Sequence, residues 1–400
     1  MAKRQLHPDS PWLLALLAAL VALGPLSVDM YLPAMPTMMR AFDTDISHMH
    51  LTLSSYLTGF ALFHLACGPL ADRYGRKPIL LGGTLLFVLA CAGCSQSSTV
   101  EEMLLFRFLQ GIGACVGPTL ARAVTRDVFG PTGAARALSL IAMLMALAPA
   151  VAPTLGGVLL LVLPWPSVFM FLGGYGVLMI FLIQVFLSES LPEVQSLHPR
   201  AILRNFGELL VDPFFLTVTF CSGLIYAGLL VYLASSSFVY IDMLGVAPQY
   251  FGLIFLGSVV GYMAGSALSA RLSKRQDSER IMRLGVILAI CASCLLLLCS
   301  SIWPASILAL MLPMMIYSIA MGLVLPHSMA IALRPFPHIA GTASALLGFI
   351  QMSLSAGTSA LTGVFLTDTP QPMVWMLVII TLTSLALGQR VHTLYNRTKP

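Results

Sequence analysis

Two ionisable residues stand inside stretches that otherwise exclude charge. Asp29 lies in P-L-S-V-D-M-Y-L-P-A-M-P (residues 25–36), and Arg107 opens R-F-L-Q-G-I-G-A (residues 107–114). They are the one carboxylate and the one cation within any stretch apolar and long enough to cross a bilayer. Ionisable groups at such depth are costly, pair with one another or line a watery cavity, and mark functional sites. Burial raises a carboxyl group's hold on its proton, and a nearby arginine opposes it. Such a pair can take up and release a proton as its surroundings change. Asp29 near the outer interface would merely hydrate, but apolar residues continue beyond it to Met39. With spans at 12–37 and 101–122 running in opposite directions, both charges fall about 7 Å outward of their midpoints, at 1.5 Å per residue. A shared, partly hydrated proton-coupling site is expected.

A second charged group lies in Gly68-Pro69-Leu70-Ala71-Asp72-Arg73-Tyr74-Gly75-Arg76-Lys77-Pro78-Ile79-Leu80. No charge occurs in the run before it, 51–67, or after it, 79–100. A loop this short between two runs of membrane length joins antiparallel spans. Gly75 and Pro78 supply the freedom and the stop of a tight turn. Positive loops commonly fix orientation. Orientation alone, however, gives no use for Asp72 beside Gly68, Arg73, Arg76 and Lys77.

The elements that hold these residues are helices. The chain has 400 residues, 58% of them hydrophobic and 9% charged, with mean hydropathy +0.91. A soluble domain carries about 25% charged residues. The length suits roughly twelve spanning helices with short connections. Basic residues sit in small groups between apolar runs, not as a stripe, so the net charge of +5 does not point to nucleic acid. The eight cysteines lie in apolar runs, and Cys91/Cys94 and Cys291/Cys294 lack ligand partners at metal spacing, which leaves them as small buried hydrophobes. The first run, from Pro11 past Leu26, is too long for a signal peptide and reads as an uncleaved span. No helical metal motif, serine–histidine arrangement or phosphate loop is present, so an enzyme is not expected.

Spans are expected at 12–37, about 51–67, 79–98, 101–122, a fifth containing 148–157, then 165–187, 214–237, 249–270, 281–301, 305–327, 341–366 and 372–394. Phe42 to His50 forms an outer loop, and Arg122, Arg126, Asp127 and Arg136 mark an inner one. The polar stretch after Glu189 divides the chain into halves at 1–190 and 213–400, with 191–212 a cytoplasmic linker. Gly265 and Ser269 stand in the second half where Gly68 and Asp72 stand in the first, an echo that has lost its acid. On this segmentation 19 of the 21 Lys and Arg fall on one side with both termini, which places the termini in the cytoplasm.

The hairpin meets every position of G-x-x-x-D-R-x-G-R-K/R and so resembles the major facilitator superfamily of secondary transporters. Arg107-x-x-Gln110-Gly111-x-Gly113-Ala114 is similar to a second motif, of its drug-exporting antiporters. Ala148-Pro149-Ala150-Val151-Ala152-Pro153-Thr154-Leu155-Gly156-Gly157 resembles their G-x-x-x-G-P-x-x-G-G, with alanines at the first two glycines. Residues 25–36, the hairpin and Arg334 to Ser344 together resemble the Bcr/CflA branch, named for bicyclomycin and chloramphenicol resistance. The resemblance spans nearly the whole chain. It implies an all-α membrane protein of twelve transmembrane helices in two six-helix halves, exporting small-molecule drugs across the bacterial inner membrane. Exchange for protons by alternating access would drive it, with no cofactor and no metal, as a monomer. Asp29 and Arg107 would couple protons, Gly68 to Lys77 would gate, and Pro149, Pro153, Gly156 and Gly157 would form the antiporter motif. Tyr31, Tyr56, Gln110, Tyr226, Tyr232 and Gln351 are candidates for the cavity wall. His64 and His327 are expected to be packed or hydrogen-bonded. A metabolite transporter on the same fold, for a nucleoside, amino acid or sugar, is the alternative.

Overall fold

The computed structural model describes residues 11–145, 148–191 and 199–398, and these are helical with no strand among them. Helices α1 (Pro11–Asp29) and α2 (Met35–Ala41) belong to one span, Trp12–Ala41, interrupted by a 3-10 turn at Leu32–Ala34. The interruption is written in the prolines. Pro33 and Pro36 have no N–H to give the carbonyls of Asp29 and Leu32. The hydrogen-bond ladder of α1 therefore ends at its carboxylate.

Helix α3 (Ile46–Tyr74) begins where the Asp45 side chain accepts from the His48 N–H at 2.8 Å. This cap starts the helix before its apolar run does. His50, expected in the outer loop 42–50, consequently lies inside α3. One residue, Gly75, separates α3 from α4 (Arg76–Gln96).

Helix α5 (Val100–Met145) corrects the expected inner loop at 122–136, because the helix is continuous through it. At 1.5 Å per residue a straight helix of 46 residues would run about 69 Å, against a hydrocarbon core of about 30 Å. It must turn back, and Gly130-Pro131 is where its ladder lacks a donor. The fifth span is completed by α6 (Ala148–Val162), too short alone to cross a membrane; 11 other stretches among the described residues are long and apolar enough.

Then come α7 (Pro166–Phe186), α8 (Pro199–Val211), α9 (Pro213–Ser237) with a π-helical turn at Phe238–Met243, α10 (Pro248–Leu272), α11 (Ser278–Ile302), α12 (Ile307–Leu333), α13 (Ala340–Phe365) and α14 (Gln371–Thr398). Part of the expected linker 191–212 is thus the helix α8, which packs on α9 and α13. Residues 192–198, Lys3, Arg4 and Lys399 lie outside the described residues, as do the side chains of Arg136 and Arg397.

Helices α1 and α3–α7 pack together, as do α9–α14, and the two groups meet along α3 against α13 and α6 against α10. These seams are closed at the face away from the charged hairpin. There Arg40 pairs with Asp242 at 2.8 Å, and the Ser54 hydroxyl donates to the Ala356 carbonyl at 2.8 Å. At the hairpin face no neighbouring atom lies within 4 Å of where a Cβ would stand on Gly68 or Gly341. The far face joins the halves through these bonds, and further toward the hairpin a Cβ on Gly348 of α13 would still lie 2.9 Å from His64 Nε2 of α3.

Candidate functional site

Arg107 is fully buried and is held without an acid. Its Nη1 donates to the Gln110 side-chain oxygen at 2.6 Å and to the Ser27 carbonyl at 3.2 Å. The guanidinium carbon lies 4.3 Å from the Tyr31 ring centroid and 4.5 Å from that of Tyr56, with Phe169 at 6.0 Å. Cation–π contacts of this kind strengthen when water is excluded. The walls are fixed in turn: Tyr31 hydrogen-bonds Thr52, Tyr56 donates to the Gly24 carbonyl at 3.2 Å, and the Gln110 amide donates to Cys91 Sγ at 3.1 Å. Packing explains the motif's first glycine, Gly111, four residues after Arg107. A Cβ on Gly111 would collide with the Tyr56 carbonyl and one on Gly59 with the Phe108 carbonyl, so α3 and α5 approach to backbone contact at these glycines. Arg107 Nε and Nη2 have no hydrogen-bond partner among the described residues.

Asp29 is also buried, at 3% exposure. It was expected beside Arg107. Arg107 does reach the Ser27 carbonyl, two residues from Asp29, so the two charges lie at a common level of α1. They make no ion pair among the described residues. The reason is angular: at about 100° per residue, positions 27 and 29 point to nearly opposite sides of a helix.

The antiporter motif holds the broken span from behind. A Cβ on Gly156 would strike the Met30 carbonyl, and one on Gly157 would strike the Pro248 carbonyl at the start of α10. Helix α6 therefore touches the Asp29 break on one side and the opposite half on the other. Pro153 lies within α6 and Pro149 in its first turn.

The hairpin is a dense electrostatic knot within one half. Asp72 pairs with Arg76 at 2.6 Å, and Arg76 pairs with Asp127 of α5 at 3.2 Å. Glu189, beyond α7, accepts from the backbone N–H groups of Arg76 at 2.9 Å and Lys77 at 3.1 Å, at the start of α4. Lys77 Nζ donates to the carbonyls of Leu187 at 2.7 Å and Gln184 at 3.0 Å, at the end of α7. A carboxylate at a helix start and an ammonium at a helix end both oppose the local dipole charge. Gly75 adopts φ +98°, and a Cβ there would lie 2.5 Å from the Glu189 carboxylate. Only glycine fits.

The second-half echo is different in kind. Ser269 shares a hydrogen bond with His327 Nε2 at 2.9 Å, and Glu279 pairs with Arg334 at 2.8 Å. The first half sets an arginine at the start of its third-span helix; the second sets an acid there. His64 stacks on Phe60 at 6.0 Å and is mostly buried. Of the expected cavity residues, Tyr31, Tyr56 and Gln110 form the shell of Arg107. Tyr232 is turned into the second half, bonded to Tyr240 at 3.0 Å. Tyr226 and Gln351 are half-buried. Glu189, His50 and the Arg40–Asp242 pair were given no role from sequence, and Asp127 was read only as part of an inner loop. Glu189 had a signal in S-E-S-L-P ending an apolar run, but its partner lies 113 positions away.

A family model described as Major Facilitator Superfamily matches residues 17–360. An uncharacterized MFS-type transporter, YdgK, of Bacillus subtilis is 35% identical over 87% of this chain and 88% of its own. A multidrug resistance protein, MdtL, of Vibrio parahaemolyticus is 31% identical over 92% and 93%. A bicyclomycin resistance protein homolog of Haemophilus influenzae is 28% identical over 90% of each. Among solved structures, the nucleoside transporter NupG superposes with TM-score 0.75 at 14% identity, covering 96% of this chain and 99% of its own. A D-xylose-proton symporter gives 0.73 at 14%, covering 96% and 97%. At these identities the structural likeness speaks for the fold.

Proposed function

Because the chain belongs to the major facilitator superfamily, and is therefore a multi-pass membrane transporter, we propose that it exports small drugs in exchange for protons. The observation that carries the reading is Asp29. It is buried, unpaired, at the break of the first span, and backed by the glycine motif of α6. A carboxylate so placed serves as the proton carrier. Arg107, with two nitrogens unspent, stands at the same level to receive it when the helices rotate. The relatives named for bicyclomycin and multidrug resistance support a drug as the cargo and the Bcr/CflA branch as the subfamily.

The closed far face, held by Arg40–Asp242 and Ser54–Ala356, corresponds to one end state of alternating access. In the other, the hairpin face closes. Asp72 then leaves Arg76 for the N-terminal end of α13 near Gly341-Thr342, where a helix start attracts an anion. The concentration of Lys and Arg at the hairpin face orients that face to the cytoplasm of a bacterial inner membrane, with both termini inside.

The test is a drug-panel susceptibility assay in a hypersensitive host expressing the protein. Protection against at least one compound, lost when the proton gradient is collapsed, is expected. No protection against any compound would favour a metabolite as cargo.

A further inference from the structure

One buried titratable group takes no part in that reading. His50 is fully enclosed at the far face, where the halves meet. Its Nδ1 donates to the Ser359 carbonyl of α13 at 2.9 Å. Its ring stacks on Phe238, centroids 6.0 Å apart and planes 23° apart. Gly363 leaves the room it needs, since a Cβ there would lie 2.5 Å from the His50 Cβ. One imidazole of the first half thus holds two elements of the second.

The two ring nitrogens are not equally provided for. Nδ1 has its acceptor, while Nε2 is buried with no partner among the described residues. A neutral ring with its proton on Nδ1 fits this seam. A protonated ring would carry a second N–H into a place with no acceptor, and a charge into a place with no acid. The surrounding charges are accounted for. Neither α13 nor α9 has a charged residue. The π-helical turn brings Asp242, held by Arg40 of α2. At the cap of α3 Asp45 is bonded to His48. Helix α5 brings Arg107, enclosed by its tyrosines, and Glu101 and Glu102 in its exposed first turn. Asp29 ends α1, and Arg76 and Lys77 lie at the opposite face. No acid stands within ion-pair reach of His50.

We infer that His50 is a proton-sensitive latch of the far face, a further residue of the transport cycle. Neutral, it ties α3 to α13 and to Phe238. Protonated while that face is open, it blocks closure until the proton leaves. This rests on alternating access as proposed above, and not on Asp29 carrying the proton. The sign follows from linkage: the open face binds one proton more than the closed one, so closure is complete at high pH and weakens as pH falls. An imidazole open to water titrates near 6.5, so the open-to-closed ratio rises about tenfold between roughly pH 7.5 and 5.5.

Hydrogen–deuterium exchange of the purified, full-length protein without drug tests this. Peptides covering 46–54 and 355–365 report the far face, and those covering 68–80 and 340–348 the hairpin face. Wild type is compared with His50→Asn and His50→Gln at each pH, so that intrinsic exchange cancels. Asn places an amide N–H where Nδ1 stood, and neither variant titrates. Far-face exchange in wild type should match the variants at pH about 7.5 and exceed them by about tenfold near 5.5. His50→Lys should exchange rapidly at the far face at both. Equal exchange of wild type and both neutral variants at both pH values would overturn the latch. So would an acid response spread equally over the hairpin face. Asp29→Asn is run in parallel: a retained acid response there, with proton coupling lost, separates the latch from the coupling site, and retained coupling would count against Asp29 alone.

Discussion

Asp29 and Arg107 lie at one level of the first half and do not touch. Arg107 spends one nitrogen on the Ser27 carbonyl and Gln110 and faces two tyrosine rings; Asp29 ends its helix without a counter-ion. A permanent ion pair would hold both charges in one state. Charges on separate helices that do not pair with each other can meet in one conformation and part in another, as the proposed proton exchange requires.

The first expectation is about coupling. Asp29→Asn should abolish drug-induced proton release from reconstituted protein while retaining drug binding, and Arg107→Ala should be similarly inactive. With Asp29 as the proposed carrier, one proton would move per substrate. Exchange for a neutral drug then responds to membrane potential, and exchange for a monovalent cation responds to the pH gradient alone. Full coupling in Asp29→Asn would sink the assignment.

Tyr31 gives a second. Tyr31→Phe keeps the ring over Arg107 and loses the bond to Thr52; Tyr31→Leu loses both. A desolvated cation–π contact is worth about 2 kcal/mol, so Tyr31→Leu should unfold at a clearly lower temperature than Tyr31→Phe. Equal losses would mean that the hydroxyl, not the ring, matters.

At the hairpin, Asp72→Asn should leave expression intact and impair transport, with raised accessibility of the hairpin face. Glu189→Gln weakens the hold on the start of α4 and should cost about 1 kcal/mol, read as thermal stability in detergent. Unchanged accessibility together with unchanged transport in Asp72→Asn would remove its gating role.

Gly157→Ala puts a methyl group against the Pro248 carbonyl. Backbone cannot yield cheaply, so the far face should stay parted and transport should fall by an order of magnitude or more, about 1.4 kcal/mol per tenfold. Exchange of deuterium at the start of α10 should rise. Normal transport would show that α6 and α10 can close without that contact.

Asp45 sits outside the spans, and the His48 backbone N–H holds its carboxyl below the ordinary carboxylate range. Its contribution is therefore present above the unfolded value of about 3.9 and fades as pH falls through the lower folded value. Asp45→Ala should cost about 1 kcal/mol near neutrality and loosen the turn that carries His50. The difference in unfolding temperature should shrink in acid; a constant difference would mean that the cap acts without its charge.

The residue order alone determined that this chain is a bundle of membrane helices. Apolar runs of spanning length leave backbone groups no other partner in lipid. Local rules also wrote the break after Asp29, through Pro33 and Pro36, and the turn at Gly75. The hairpin motif and the two glycine motifs marked where backbones must meet, but not which ones. Gly157 against Pro248, Glu189 against Arg76 and His50 against Ser359 join residues 91, 113 and 309 positions apart, and no spacing rule reaches that far. Depth could be counted at 1.5 Å per residue; azimuth could not, because small changes in helix winding and the proline break rotate a side chain from its neighbour to the opposite half. For that reason Asp29 and Arg107 were legible as charges at one level, and only the tertiary structure set Arg107 among tyrosines and left Asp29 without an ion pair among the described residues.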